Sequence, residues 1–499
     1  MKILLVNPAP DFYTGTASAS APLGLLSIAT YLNKYGHTAS IYDRTIRHES
    51  LNSIYSERKP DIVGISFFSP KAIKDLLVVA RFFHEKGIPV VLGGQMASAS
   101  TMTDKIFETG AVDLISVGEG EQTWKELADT FENHGDISRV AGLIYQKDGE
   151  IIHTEERPFL DPAELPVIDW TLVDPNQYFQ RSFGCKKMIY ICSAKGCIGD
   201  CTFCINKAFH HCTYRRRPVC DVMDEIEYLV RNYDLDGVYF AAELFCKNRS
   251  EVYELCEEKR RRGLEFSWGF QSRIGIFKEE DFKYMYENGC RWAFFGVESG
   301  SKRILDEMGK HINLDLVKPT FDACYKAGIV SIASFIIANI GETYEDIRQT
   351  IDLALELEHA MYSFSCLAPC PGTELEWRAI EQYGYRLPEK LIDYTKKKFI
   401  DKPEPSFPTL PRRDMIVIRE YFQWRSFTTL HPTSKENDRQ TQFFFIKVIL
   451  DALRTAFSNG FFGFFVYAFL SAKKFITTFY YANMCLGIRR KYGLYKKRK

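Results

Sequence analysis

Three cysteines stand close together in the stretch Cys197-Ile-Gly-Asp-Cys201-Thr-Phe203-Cys204, with gaps of three and then two residues. Three thiolates on one tight loop can hold three irons of a four-iron, four-sulfur cube. Electron-transfer clusters take four cysteines, so a three-cysteine loop points to an iron kept open for a substrate or cofactor. Zinc is the alternative. It needs a fourth ligand, and His210, His211 and Cys212 are near enough in sequence to offer one. A gap of three residues suits zinc less well than two short gaps of two.

Such a loop must hang on rigid elements. From Met188–Ile191 onward the chain repeats strand, loop and helix. Apolar runs recur at 188–191, 237–240, 266–269, 292–295, 332–337 and 362–367, with helical stretches between, the first of them Val219–Tyr233. Six strands with intervening helices predict a partial (β/α)6 barrel, whose chemistry sits at the C-terminal mouth. The strand ends supply candidates. After the second strand, Ala241-Ala242-Glu243 offers small residues for close approach and a carboxylate that can accept from an ammonium. After the third come Gln271 and Arg273, the latter able to clasp a carboxylate with both arms of its fork. After the fourth stands Gly296-Val297-Glu298-Ser299-Gly300. Cys366 and Cys370 near the last strand are read as buried, inert thiols or as an extra acid or ligand.

The first 140 residues alternate apolar strands and helices in the same way. Strands are expected at 2–7, 38–42, 61–66, 89–92 and 112–117, and a helix over 71–86. Their continuous apolar character predicts a doubly wound parallel sheet buried on both faces. Ligands bind such sheets outside the carboxyl ends of the strands. The loops there are Pro8–Pro22, Ser66-Phe67-Phe68-Ser69-Pro70, Gly93-Gly94 and Gly118-Glu119-Gly120-Glu121. Their glycines let backbone approach a large flat ligand. No Gly-x-Gly-x-x-Gly follows the first strand, which disfavours a dinucleotide.

The cysteine spacing and Phe203 resemble the cluster loop of the radical S-adenosylmethionine (SAM) superfamily. The N-terminal loops resemble the cobalamin-binding domain that precedes many such barrels. That resemblance covers about residues 1–385. It implies a [4Fe–4S] cluster on Cys197, Cys201 and Cys204, with SAM chelating the open iron. Glu243 would then meet the SAM amino group, and Glu298 the ribose hydroxyls. Cobalamin would lie on the N-terminal loops, with Ser66-Phe67-Phe68 against the lower corrin face. The Asp-x-His-x-x-Gly that supplies a lower histidine ligand in methionine-synthase-like domains is absent. The sequence departs from the family pattern at Ala241-Ala242, where glycines are usual, and at Ala338-Asn339-Ile340-Gly341-Glu342-Thr343. The activity implied is methylation of an unactivated carbon through a 5′-deoxyadenosyl radical and methylcobalamin. Ring formation or rearrangement with the same cofactors is the alternative, as in the anaerobic magnesium-protoporphyrin ester cyclases. A non-catalytic iron–sulfur or zinc protein is the alternative of another class, and a degenerate flavodoxin-like domain is the alternative for the first 140 residues.

The expected organisation is therefore a cobalamin-binding domain over 1–140, a linker over 141–187, a radical SAM partial barrel over 188–385 and a helical region over 386–499. The linker holds a small hairpin and a proline-rich segment. Lys plus Arg and Asp plus Glu are 64 each, so nothing draws the whole chain to nucleic acid. Fourteen cysteines diluted over 499 residues, with no secretory signal, read as reduced thiols in an anaerobic cytoplasm. Thr455–Ala472 carries no charge, and lysines follow directly. Phenylalanines beside a basic tail suit contact with an anionic membrane face, or a cover over a hydrophobic substrate. A flavodoxin- or ferredoxin-type partner would supply electrons.

Overall fold

The computed structural model describes residues 1–10, 20–396 and 411–428. Its first sheet begins with β1 (Lys2–Asn7), β2 (Thr38–Asp43), β3 (Ile62–Ser66), β4 (Val90–Gly93) and β5 (Leu114–Ser116). These pair in parallel in the order β2-β1-β3-β4-β5. Every central strand is apolar on both faces because helices cover both. Leu23–Lys34 and Glu121–Glu132 lie on one side, and Ile73–His84 lies on the other. The predicted strand and helix positions hold to within two residues. The hairpin of the connector, β6 (Leu143–Lys147) and β7 (Glu150–His153), joins the same sheet. It pairs antiparallel to β5 and extends the sheet to seven strands.

The second sheet also has seven strands. β8 (Gln180–Ser182) runs antiparallel to β9 (Cys185–Ile191). Between β9 and the next long strand lies a two-stranded clamp, β10 (Ala194–Gly196) against β11 (Tyr214–Arg216). Then follow β12 (Gly237–Phe240), β13 (Ser267–Ser272), β14 (Cys290–Glu298), β15 (Val330–Ile337) and β16 (Ala360–Cys366). The order β16-β15-β14-β13-β12-β9-β8 is a partial barrel in which six consecutive strands are parallel.

The barrel has two distinct faces, and alternation along β15 and β16 shows which is which. Ser331, Ala333, Phe335 and Ile337 are buried; Ile332, Ser334 and Ile336 are half-buried. On β16, Tyr362, Phe364 and Cys366 are buried, and Met361, Ser363 and Ser365 are half-buried. The buried set faces outward under helices. Phe364 stacks at 4.3 Å on Phe422 of helix Arg412–Thr428. The half-buried set lines the lumen. Of the helical region expected after residue 386, Arg412–Thr428 is described; the segment Thr455–Ala472 and the basic tail lie outside the described residues. Among the described residues no helix is long and apolar enough to cross a membrane.

Candidate active site

The cluster loop is held from three directions. Its stem is the β10–β11 clamp. Its far side bonds two barrel loops: the Thr202 amide donates to the Met308 carbonyl at 2.9 Å, and the Leu375 amide donates to the Thr202 carbonyl at 2.9 Å. Inside the loop, the Gly199 amide donates to Cys197 Sγ at 3.3 Å and Asn206 Nδ2 to the Cys197 carbonyl at 3.2 Å. Cys204 caps the short helix Ile205–His210. Phe203 packs into a small apolar cluster with Ile336, Ile340, Leu367 and Leu375, so it braces the loop against the top of β15 and β16.

Two cations face this loop. Arg273 donates to the His311 carbonyl at 3.2 Å, and a Cβ placed on Gly199 would stand 2.3 Å from its Nη1. A side chain at position 199 would displace the Arg273 guanidinium from the loop. Lys310 Nζ stands 3.0 Å from Glu298 Oε1. Burial raises the Cys201 thiol, and the charges of Lys310 and Arg273 oppose it. Burial pushes the Cys204 thiol up to about 12. Loading metal here must release those protons, and the two cations offset the negative charge that thiolates bring. Among the described residues no three His, Cys, Asp or Glu side chains draw together as tightly as one metal ion requires. Three cysteine thiols on one loop are the donor set of a four-iron cluster whose last iron is left open.

The strand ends bring the other candidates to the same mouth. Glu243 follows β12, and its Oε2 accepts from the Gly196 amide at 3.1 Å. Gln271 lies within β13 rather than after it. Its Nε2 donates to the Ala242 carbonyl at 2.7 Å, which orients the turn carrying Glu243. Glu298 is the last residue of β14 and sits at a φ of 66°, in the left-handed region that a non-glycine residue enters only at a cost. Its partner Lys310 was not among the sequence candidates. Twelve residues and a helical turn separate the two, and no periodic signal connects them. Burial works against the charge on Lys310, but the Glu298 carboxylate outweighs it and the pKa is raised. Cys366 is buried in β16, and burial holds the thiol of the half-buried Cys370 up to about 11, which disfavours its thiolate.

At the N-terminal sheet the loops Gly93-Gly94 and Gly118-Glu119-Gly120 are tied to each other. Ser98 Oγ donates to the Gly94 carbonyl at 3.1 Å and accepts from the Gly118 amide at 3.0 Å. Gly94 has a φ of 101°. Around Gly118 a side chain would meet nothing within 4 Å, which leaves a flat, open edge. Beside it a cavity of about 350 Å³ runs between the two halves of the chain, lined by Ser98, Gly118, Glu119, Phe159 and Phe209 among others. Two expectations change here. Phe67 is fully buried in the core beneath the sheet, whereas Phe68 is 70% exposed. Successive side chains of an extended segment point to opposite faces, so only Phe68 with Ser66 can touch a ligand on the sheet edge. Glu119 is not free for a ligand either. Arg215, Lys195 and His210 surround its carboxylate. Burial alone would raise its pKa, but the hydrogen bonds from His210 and Arg215 hold it well below the usual carboxylate range.

The two halves meet at the mouth. A Cβ on Gly372, in the loop after β16, would stand 3.0 Å from Ala99 Cβ. Thr101 Oγ1 donates to Glu376 Oε2 at 2.8 Å. The loops at the carboxyl ends of the two sheets therefore pack directly on each other. Residues 191–354 match the model of the radical SAM superfamily, and residues 16–128 match that of the B12 binding domain. The chain belongs to the cobalamin-binding radical SAM family. It is 29% identical over 454 residues to an uncharacterized methyltransferase of Pyrococcus horikoshii, covering 86% of this chain and 96% of that one. It is 25% identical over 480 residues to the anaerobic magnesium-protoporphyrin IX monomethyl ester cyclase of Rubrivivax gelatinosus, covering 92% and 83%. Among solved structures, the radical SAM methyltransferase TsrM of Kitasatospora setae, with cobalamin and a [4Fe–4S] cluster bound, superposes with a TM-score of 0.67. The identity is 19%, over 79% of this chain and 84% of that one.

Proposed function

We propose that this cobalamin-binding radical SAM protein methylates an unactivated carbon of a hydrophobic, uncharged substrate. The observation that carries the reading is the contact between the two halves. The loop after β4 packs on the loop after β16, Ala99 against Gly372 and Thr101 against Glu376, and Gly372 also approaches Ile205 directly behind the cysteine loop, so cofactors held by the two halves would lie close enough to meet. When bound, the cofactors supply radical hydrogen abstraction and methyl delivery; the protein holds the participants in line and keeps water away. Cys197, Cys201 and Cys204 would hold the cluster, with Arg273 and Lys310 offsetting its charge. Glu243 would accept from the SAM ammonium, with Gln271 orienting its turn. Glu298 keeps one carboxylate oxygen on Lys310 and offers the other to the ribose hydroxyls. Gly93, Gly94, Gly118 and Gly120 would form the edge on which cobalamin lies, with Ser66 and Phe68 reaching its face.

The substrate class comes from the lumen. Its half-buried residues on β15 and β16 are Ile332, Ser334, Ile336, Met361, Ser363 and Ser365, all uncharged. Of the charged groups at the mouth, Glu298 is paired with Lys310, and Arg273 and Glu243 would be taken up by the cofactors. Such a lining suits an apolar molecule carrying a few hydroxyl or carbonyl oxygens. A cytoplasmic flavodoxin- or ferredoxin-type donor would supply the electron, and the phenylalanine-rich C-terminal region would cover the substrate or rest on a membrane face. Ring formation is the second reading, favoured by the 25% identity to a cyclase over nearly the whole chain. Anaerobically reconstituted protein, given cobalamin, SAM and a reductant, separates the cases. Formation of 5′-deoxyadenosine with a product one methylene heavier supports methylation. A product of unchanged or dehydrogenated skeleton supports cyclisation, and absence of 5′-deoxyadenosine rejects both.

A further inference from the structure

His210 stands between the two cofactor sites. It ends the helix that follows the cluster loop, and it is buried. Its Nδ1 lies 3.2 Å from Glu119 Oε1, on the glycine-rich loop of the N-terminal sheet. Its Nε2 lies 3.8 Å from Glu243 Oε1, at the end of β12. One imidazole thus touches a carboxylate from each half of the chain. The ring has little freedom. Phe209 meets it edge-on at 4.8 Å, Phe159 covers another side at 6.0 Å, and a Cβ on Gly196 would stand 3.0 Å from its own Cβ. Gly196 is also the residue whose amide holds the other oxygen of Glu243.

The surroundings make this bridge sensitive to the N-terminal loop. Arg215 binds Glu119, stacks on Phe159 at 4.2 Å and reaches His210 Nδ1 at 3.3 Å. Lys195 joins Glu119 at 3.3 Å to Glu121 at 2.7 Å. Glu119 and Phe159 also line the cavity beside Gly118. A ligand that shifts the Gly118–Gly120 loop shifts Glu119 with it, and with Glu119 the groups bonded to its carboxylate. The imidazole is one of them, and it faces the carboxylate of Glu243. Glu119 and His210 are buried and in hydrogen-bond contact, and the more exposed Glu243 completes the run as an ion-pair partner at 3.8 Å, a contiguous network of the kind that carries energetic coupling between sites.

We infer that His210 is a positioning residue that couples cobalamin occupancy to SAM binding, so that SAM binds more tightly once cobalamin is in place. The inference rests on the reading that Glu243 accepts the SAM ammonium. Coupling of this kind is worth about tenfold in affinity and acts equally in both directions. It would order the loading of the enzyme. SAM would be held firmly only when the methyl carrier is present, which limits radical formation with nothing to supply the methyl group.

The test is titration calorimetry of SAM into the cluster-reconstituted full chain, with and without hydroxocobalamin. The parent protein is expected to bind SAM about tenfold more tightly with hydroxocobalamin than without. His210→Gln should bind SAM with the same affinity in both states. A purely structural defect lowers both affinities and preserves their ratio, so a retained ratio overturns the inference. An equal affinity in both states of the parent overturns it as well. Glu119→Gln, which cuts the bridge from the other side, gives the same reading if His210→Gln does not fold. Glu243→Gln tests the underlying assignment separately. It should weaken SAM binding in both states; if it does not, the ammonium site lies elsewhere and the failure belongs to that reading.

Discussion

Lys310 Nζ lies 3.0 Å from Glu298 Oε1, and both side chains are 9% exposed. The pair sits at the end of β14, directly against the cysteine loop, with Glu298 in a left-handed backbone conformation. Breaking a buried ion pair costs more than the pair contributes, because the remaining charge is stranded. Lys310→Met should therefore destabilise the protein by about 3–5 kcal/mol and weaken SAM binding. Urea unfolding of the reconstituted protein measures the first effect. The double variant Lys310→Met/Glu298→Gln should recover part of the stability and none of the SAM affinity.

The cysteines separate by role. Cys197→Ala, Cys201→Ala and Cys204→Ala should each lose the visible absorbance of the cluster and most of the bound iron after anaerobic reconstitution. Cys366→Ala and Cys370→Ala should keep both. Iron and sulfide analysis beside the spectrum decides it. Full iron in Cys201→Ala would overturn the ligand assignment.

Phe67 and Phe68 are adjacent but face opposite ways. Phe67→Ala opens a core cavity and should cost about 3–5 kcal/mol of stability. Phe68→Ala should leave the unfolding midpoint within about 0.5 kcal/mol and lower cobalamin affinity. Equilibrium binding of hydroxocobalamin followed by absorbance distinguishes the two.

Glu342 supplies a pH dependence. Burial raises its pKa to about 7, against the opposing hydrogen bonds from the Asn339 amide and side chain. A carboxyl whose folded pKa is raised binds more protons folded than unfolded between about pH 4.3 and 7. Stability attributable to this group therefore falls as pH rises through that window, by on the order of 2–3 kcal/mol. Glu342→Gln should remove that slope and melt higher than the parent at pH 8. Melting temperatures across pH 5–8 test it, and a slope unchanged in the variant refutes the assignment.

Gly372 tests the junction. It has a φ of 80°, and any side chain there meets Ala99. Gly372→Val should cost about 1–3 kcal/mol in backbone strain alone. Through the clash it should also open the contact between Thr101 and Glu376, read as faster proteolysis between the two halves and weaker cobalamin retention.

The parallel strands of both sheets were legible in the sequence because most of them lie in largely apolar stretches bounded by glycine, proline or charge, whereas β8 and the pairing of the β6–β7 hairpin onto β5 at the sheet edges were not. The cysteine loop was legible from spacing alone. Other features were not. β10 and β11 are three residues each, too short for any periodicity to show, yet they carry Lys195 and Arg215 to Glu119. His210 looked like a spare metal ligand beside three cysteines, and its real partners come from residues 119 and 243. Phe67 and Phe68 are the same residue type, so only the phase of the extended segment tells which one is buried. Long-range ion pairs such as Glu298–Lys310 leave no local pattern at all.

The fit of Gly372 against Ala99, with the carboxylate of Glu119 shared among Arg215, Lys195 and His210, has an evolutionary and engineering consequence. The cobalamin half cannot be exchanged for that of a relative as though it were a cassette. A chimera must carry both sides of the seam, small residue against small residue and acid against base. Substrate range is better altered from within the lumen, at half-buried positions such as Met361 and Ser363, which lie away from the seam.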